Sequence, residues 1–251
     1  MIVTKGLTKQ YGSLTAVDHL DLDVRPGEVF GFLGPNGAGK TTTIKMLVGM
    51  LAPTAGEIAI DGINLLKDPL AAKRLIGFIP DRPYLYEKLT AREFLQFVGR
   101  LYDMPAEDIE RFSTELLGMF ELAGWAEELI ENFSHGMKQR LIMSAALLHR
   151  PKVMIVDEPM VGLDPKGARL VKRILRQLAS TGHTVFMSTH TLEVAEEVCD
   201  RVAIINHGKI IALGTVAELK EANATEGKLE SIFLELTGGE EEADLIGMLK
   251  E

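Results

Sequence analysis

The chain has 251 residues, enough for one large or two small domains around a substantial core. Hydrophobic residues make up 46% and charged residues 25%, an ordinary globular composition, and a net charge of −9 argues against a general nucleic-acid binder. The single cysteine, Cys199, excludes an internal disulfide and fits a reducing compartment. Set between Val198 and Val202, it reads as buried filler at a helix end.

Residues 1–12 read as strand and turn polar too soon for a secretory leader. No uninterrupted apolar run approaches the ~18 residues of a membrane span. The chain is therefore expected in the cytoplasm. Leu20, Leu22 and Val24 alternate with acidic residues and predict a half-buried strand. Pro26-Gly27 turns the chain into a short apolar strand over 29–33. A glycine-rich loop follows, then a helix over about 40–49. Residues 57–60 form another strand, closed by Asp61-Gly62.

From Thr90 the pattern becomes helical. Thr90-Ala-Arg-Glu93 is a capping box, and Phe94, Phe97, Val98 and Leu101 fall on one face. Pro105 suits a first helical turn. Helix dominates to about His149, where Pro151 stops it. Residues 153–156 form a buried-type strand. Asp164-Pro165 caps a helix reaching about Thr181. Strand 184–188, helix 191–200 and a hairpin across Asn206-His207-Gly208 follow. Thr215-Val-Ala-Glu218 caps a further short helix. The tail from Gly238 is acidic. Strands, then a helical block, then alternating strand and helix imply an α/β core on a mostly parallel sheet with a helical insertion.

Gly34-Pro35-Asn36-Gly37-Ala38-Gly39-Lys40-Thr41 fits G-x-x-x-x-G-K-S/T, and Thr42 continues into the helix. A chance match in a chain this long is on the order of one in a hundred. The strand before and helix after supply the required context. Glycines let backbone N–H groups wrap a phosphate, and the helix start adds positive potential. Lys40 would reach the β- and γ-phosphates of ATP, and the Thr41 hydroxyl would ligate Mg²⁺.

Asp157 and Glu158 end a buried strand, where ligands of such sheets bind. Asp157 suits the Mg²⁺ shell. Glu158 is the candidate general base that polarises the attacking water.

Phe133-Ser134-His135-Gly136-Met137-Lys138-Gln139-Arg140 sets a serine N-cap and a glycine before a basic amphipathic helix, a second anion site. This stretch resembles the LSGGQ signature of ATP-binding-cassette (ABC) proteins. The resemblance covers about residues 1–220. It implies a P-loop NTPase (RecA-like) core with an N-terminal antiparallel β segment and an inserted α-helical subdomain. The expected divisions are a core of 1–81 and 151–220, a helical subdomain of 82–150, and a C-terminal helical segment with an acidic tail over 221–251. It further implies a head-to-tail dimer, in which Ser134, His135 and Gly136 of one subunit close on ATP held by the other. Tyr11 lies where the family places the aromatic that stacks on adenine. Gly162-Leu163-Asp164 resembles the loop that crosses the dimer interface. His190 resembles the switch histidine that contacts the γ-phosphate.

Two positions depart from the common pattern. Asp81 stands where the family has glutamine: it either ligates Mg²⁺ directly or acts through water. His135 replaces the first signature glycine: it either donates across the dimer or faces outward, and a donating histidine would make the sandwich sensitive to pH near 6–7. An acidic residue at 81, the SHGM signature and residues 229–237 look like the branch with separate, exporter-type membrane subunits. The expected function is thus the ATPase subunit of a transporter, bound peripherally to the inner membrane face through a permease. Tyr84, Leu85 and Tyr86, with Pro83, either touch that permease or pack within the helical block. A soluble cassette acting on DNA or ribosomes is the competing reading. Residues 40–134 are too few for a long coiled-coil insertion, and the chain carries one cassette, not two. An unrelated GTPase would need an NKxD motif, which is missing.

Overall fold

A computed structural model describes residues 1–82, 84–222 and 229–237. Pro83 and the predicted acidic tail from Gly238 lie outside the described residues.

Two sheets form the frame. The first is antiparallel, ordered β2-β1-β4-β5, from β1 (Ile2–Tyr11), β2 (Leu14–Val24), β4 (Ala55–Ile60) and β5 (Ile63–Asn64). Between β2 and β4 the chain contributes β3 (Val29–Leu33) and helix α1 (Lys40–Leu47). After β5 come α2 (Pro69–Arg74) and β6 (Ile76–Ile79).

The helical block then begins with α3 (Ala91–Leu101), whose capping box is formed: Glu93 N–H donates to Thr90 Oγ1 at 3.2 Å and Thr90 N–H to Glu93 Oε2 at 2.8 Å. Helix α4 (Ala106–Met119) follows, with Pro105 at its N-cap rather than inside its first turn. Two 3₁₀ turns, Ala123–Trp125 and Ile130–Asn132, lead into α5 (His135–Leu148). The stretch predicted as mainly helical is thus three separate helices. Gly99 permits the close crossing of α3 on α4, since a Cβ there would fall 2.6 Å from Ile109.

The face of α3 differs from the predicted one. Ala91, Phe94 and Leu95 are buried, whereas Phe97 and Leu101 are exposed. Phe97 instead meets Tyr86 edge-on, with centroids 5.3 Å apart.

The second sheet runs β10-β9-β3-β8-β7-β6 and is parallel except for β10. Its remaining members are β7 (Val153–Asp157), β8 (Thr184–Thr189), β9 (Arg201–Asn206) and β10 (Lys209–Gly214). Helices α6 (Pro165–Ser180), α7 (Leu192–Val198) and α8 (Val216–Ala222) connect or follow these strands. Helix α9 (Leu229–Thr237) buries Leu229 and Ile232 in a cluster with Leu33, Val202 and Ile204.

The parallel strands read as continuous apolar runs because both faces are covered. One face meets the antiparallel sheet through Phe30, Phe32, Phe186, Ile44 and Ile58. The other meets the helical block and α6 through Val156, Met187, Phe120 and Leu175. β3, β7 and β8 therefore end side by side, and their C-terminal ends open onto one cleft.

Candidate functional site: a phosphate loop, a carboxylate strand end and a displaced signature

The loop between β3 and α1 is shaped by glycines. Gly37 and Gly39 take φ of +82° and +111°. A Cβ on Gly34 would sit 2.4 Å from Ile205 O, and one on Gly39 would sit 2.5 Å from Ala16 O. Only glycine allows both this backbone and this approach. The β9–β10 turn buttresses the loop, as Gly208 N–H donates to Ala38 O at 2.9 Å. Lys40 is buried, and its ammonium donates to Gly34 O at 2.6 Å and Pro35 O at 3.2 Å. Burial pulls its pKa down, opposed by the charges of Glu158 and Asp157.

Register brings the carboxylates to the loop. Asp157 pairs across the strands with Ser188, whose hydroxyl donates to Asp157 Oδ1 at 2.5 Å. Burial raises the Asp157 pKa, Ser188 opposes this, and the negative charges of Glu158 and Asp81 push further upward. Glu158 follows at φ +49°, a left-handed conformation uncommon for a non-glycine residue and typical of strain held at working sites. Its N–H donates to Ser188 O at 3.2 Å. Its Oε1 lies 2.9 Å from His190 Nδ1. An ionised carboxylate can only accept, so Nδ1 carries the proton and Nε2 remains available to the cleft.

These groups share a cleft of about 550 Å³, lined by Tyr11, the phosphate loop, Thr41, Thr42, Asp81, Asp157, Glu158 and His190. Leu14, Ala16 and Val161 also line it, and the sequence reading missed them. Ser188 was missed too, as strand register alone makes it the Asp157 partner. Tyr11 is half-exposed at the end of β1, with Lys9 Nζ 5.3 Å from its ring centroid.

Ser134, His135, Gly136 and Asp164 do not line this cleft. Ser134 caps α5, accepting from Met137 N–H at 3.3 Å. Asp164 caps α6, accepting from Gly167 N–H at 2.8 Å. The His135 ring lies against Gly162.

The oxygen-rich donor set fits a hard cation: the Thr41 hydroxyl and the Asp157 and Asp81 carboxylates line one cleft.

Residues 17–161 match the ABC transporter family. The chain is 42% identical over 224 residues to the bacitracin transport ATP-binding protein BcrA of Bacillus licheniformis, covering 89% of this chain and 72% of that protein. It is 39% identical over 219 residues to the Nod factor export ATP-binding protein I of Ralstonia nicotianae, covering 87% and 68%. A solved dimeric ATP-binding cassette in a post-hydrolysis state, bound to ADP and phosphate, superposes with a TM-score of 0.78 at 28% identity, covering 86% and 98%. The chain belongs to the ABC transporter family, as an ATP-binding, ATP-hydrolysing subunit. No helix among the described residues is long and apolar enough to cross a membrane.

Proposed function

We propose that two copies of this chain form a head-to-tail dimer whose Mg²⁺-dependent ATP hydrolysis drives export through a separate membrane subunit. The observation that carries this reading is the separation of the two anion sites. Lys40, Glu158 and His190 share one cleft, while Ser134 and Gly136 lie outside it, free to meet a partner's nucleotide. The Nod factor relative is named for export, and BcrA for bacitracin transport. The chain then sits at the inner membrane face through its partner, and nucleic acid has no part in the reaction. The working divisions are the core of 1–81 and 151–220, the helical subdomain of 82–150 and the C-terminal segment of 221–251.

The chain's own groups divide the chemistry. The amides of residues 34–39 and the Lys40 ammonium hold the phosphates. Tyr11 stacks on the adenine. Glu158 takes a proton from the attacking water, and His190 orients that carboxylate while turning Nε2 to the γ-phosphate. Thr41, Asp157 and Asp81 would hold Mg²⁺, which neutralises developing phosphate charge when bound. Catalysis is positioning and charge stabilisation rather than covalent chemistry. The Asp164 carboxylate serves by capping α6 and thereby shaping the loop that meets the partner.

A second groove of about 440 Å³ adjoins the cleft, sharing Thr41, Asp81 and Asp157 with it. Exposed Met50 and Tyr84 line its mouth, with Phe78 and Ile142 deeper. An apolar groove ending on metal-site residues suits a membrane subunit's contact and would let that contact be felt at Asp81.

The test is the mass of the Glu158→Gln variant by light scattering, with and without Mg-ATP. A monomer that dimerises only with Mg-ATP supports the sandwich. A monomer that persists with ATP bound removes the homodimer.

A further inference from the structure

His135 occupies the place of a signature glycine, and its ring is already engaged within its own chain. A Cβ on Gly162 would fall 2.6 Å from His135 Nε2 and 2.7 Å from Cδ2. Gly162 has φ +76°, so both backbone conformation and the ring's approach require glycine there. The loop it belongs to starts at the candidate general base. Glu158 O accepts from Val161 N–H at 3.2 Å, and Met160 O accepts from Leu163 N–H at 3.3 Å. It ends at Asp164, the cap of α6. The ring thus touches the midpoint of a tight turn that joins Glu158 to α6.

A second tie joins the same two regions. Glu121, just after α4, pairs with Arg140 of α5 at 3.4 Å and with Lys166 of α6 at 3.0 Å. All three side chains are solvent-accessible, so such pairs contribute little to stability. They align the elements, while the exposed His135 ring meets the Gly162 backbone of the loop beside them.

We propose that His135 is a positioning residue that acts through Gly162: it couples the signature end of α5 to the loop that carries Glu158, so that the signature face and the general base move as one unit. This rests on the sandwich reading above. A ring committed to Gly162 supports its own chain's catalytic loop and does not ligate the partner's phosphate.

A double-mutant cycle tests this, with His135→Ala, Gly162→Ala and the pair, alongside His135→Phe. Two readouts are used: thermal unfolding of the nucleotide-free chain, and kcat with nucleotide affinity measured separately. Gly162→Ala should lower the unfolding midpoint more in the wild-type background than beside His135→Ala, because the clash needs the ring. His135→Ala should lower kcat about tenfold, within the span of measured neighbour couplings, with ATP affinity changed less than about twofold. His135→Phe, which keeps a planar ring without nitrogens, should retain kcat within about threefold. Additive unfolding shifts would overturn the contact. A His135→Phe variant as slow as His135→Ala would overturn the positioning role in favour of a nitrogen ligand. If Glu158→Gln fails to dimerise with Mg-ATP bound, the sandwich reading falls and the turnover argument with it. The unfolding cycle needs no dimer and separates the two failures.

Discussion

His190 Nδ1 lies 2.9 Å from Glu158 Oε1, although 32 positions separate them in the chain. Parallel pairing of β7 with β8 puts Asp157 beside Ser188, so the residues just beyond each strand end meet. Glu158→Gln should therefore lower hydrolysis by about a hundredfold or more while ATP still binds. His190→Ala should also slow turnover. The two substitutions together should cost less than the product of their separate effects, because they break one contact. Single-turnover phosphate release, read beside a nucleotide-binding titration, checks this; fully multiplicative losses would show that the two residues act independently.

Lys40→Met isolates the phosphate loop. The ammonium is buried against two carbonyls, so its removal relieves a desolvated charge. ATP affinity should fall by at least about thirtyfold, roughly 2 kcal/mol. The thermal midpoint without nucleotide should stay level or rise. Calorimetry and melting curves read the two effects, and unaltered affinity would remove Lys40 from the site.

Asp81→Gln restores the side chain common in the family. If Asp81 ligates the metal, the Mg²⁺ concentration for half-maximal hydrolysis should rise about three- to tenfold, since a charged ligand is replaced by a neutral one. Mg²⁺ dependence of nucleotide affinity should shift in parallel. An unchanged Mg²⁺ titration would exclude direct ligation by Asp81.

His149 predicts an acid limb of stability. It stacks on Tyr102 with centroids 3.7 Å apart, and its Nε2 meets Ile76 O at 3.0 Å, joining α5 to β6. Burial drives its pKa from 6.5 down to about 4. Between those values the unfolded chain binds the proton and the folded chain does not. Stability therefore rises with pH in that window and falls as pH drops from 7 toward 4. The loss from this group at pH 5 is about 2 kcal/mol. Urea midpoints at pH 7 and 5 should converge in His149→Asn relative to wild type; an identical slope in both proteins would assign the acid limb to other groups.

Much of this was legible in the chain because it is written locally. Strand, phosphate loop and helix follow one another within residues 29–47, and glycines at φ > 0 announce the turn that wraps a phosphate. Thr90, Ser134 and Asp164 cap helices through contacts three residues away, so their roles can be read from spacing. The outward Phe97 and Leu101 were not legible. Helical periodicity names an apolar stripe but does not say which part of it faces a core and which faces solvent or a partner.

By itself the amino-acid sequence determined the α/β class, the phosphate loop and the family, since each rests on residues close together in the chain. Only the tertiary structure decided that Ser188 braces Asp157, that Glu158 meets His190, and that the His135 ring closes on Gly162. Those contacts depend on strand register and on how α5 packs beside the loop before α6. Register and packing are set by burial summed over whole sheets, which no local pattern carries.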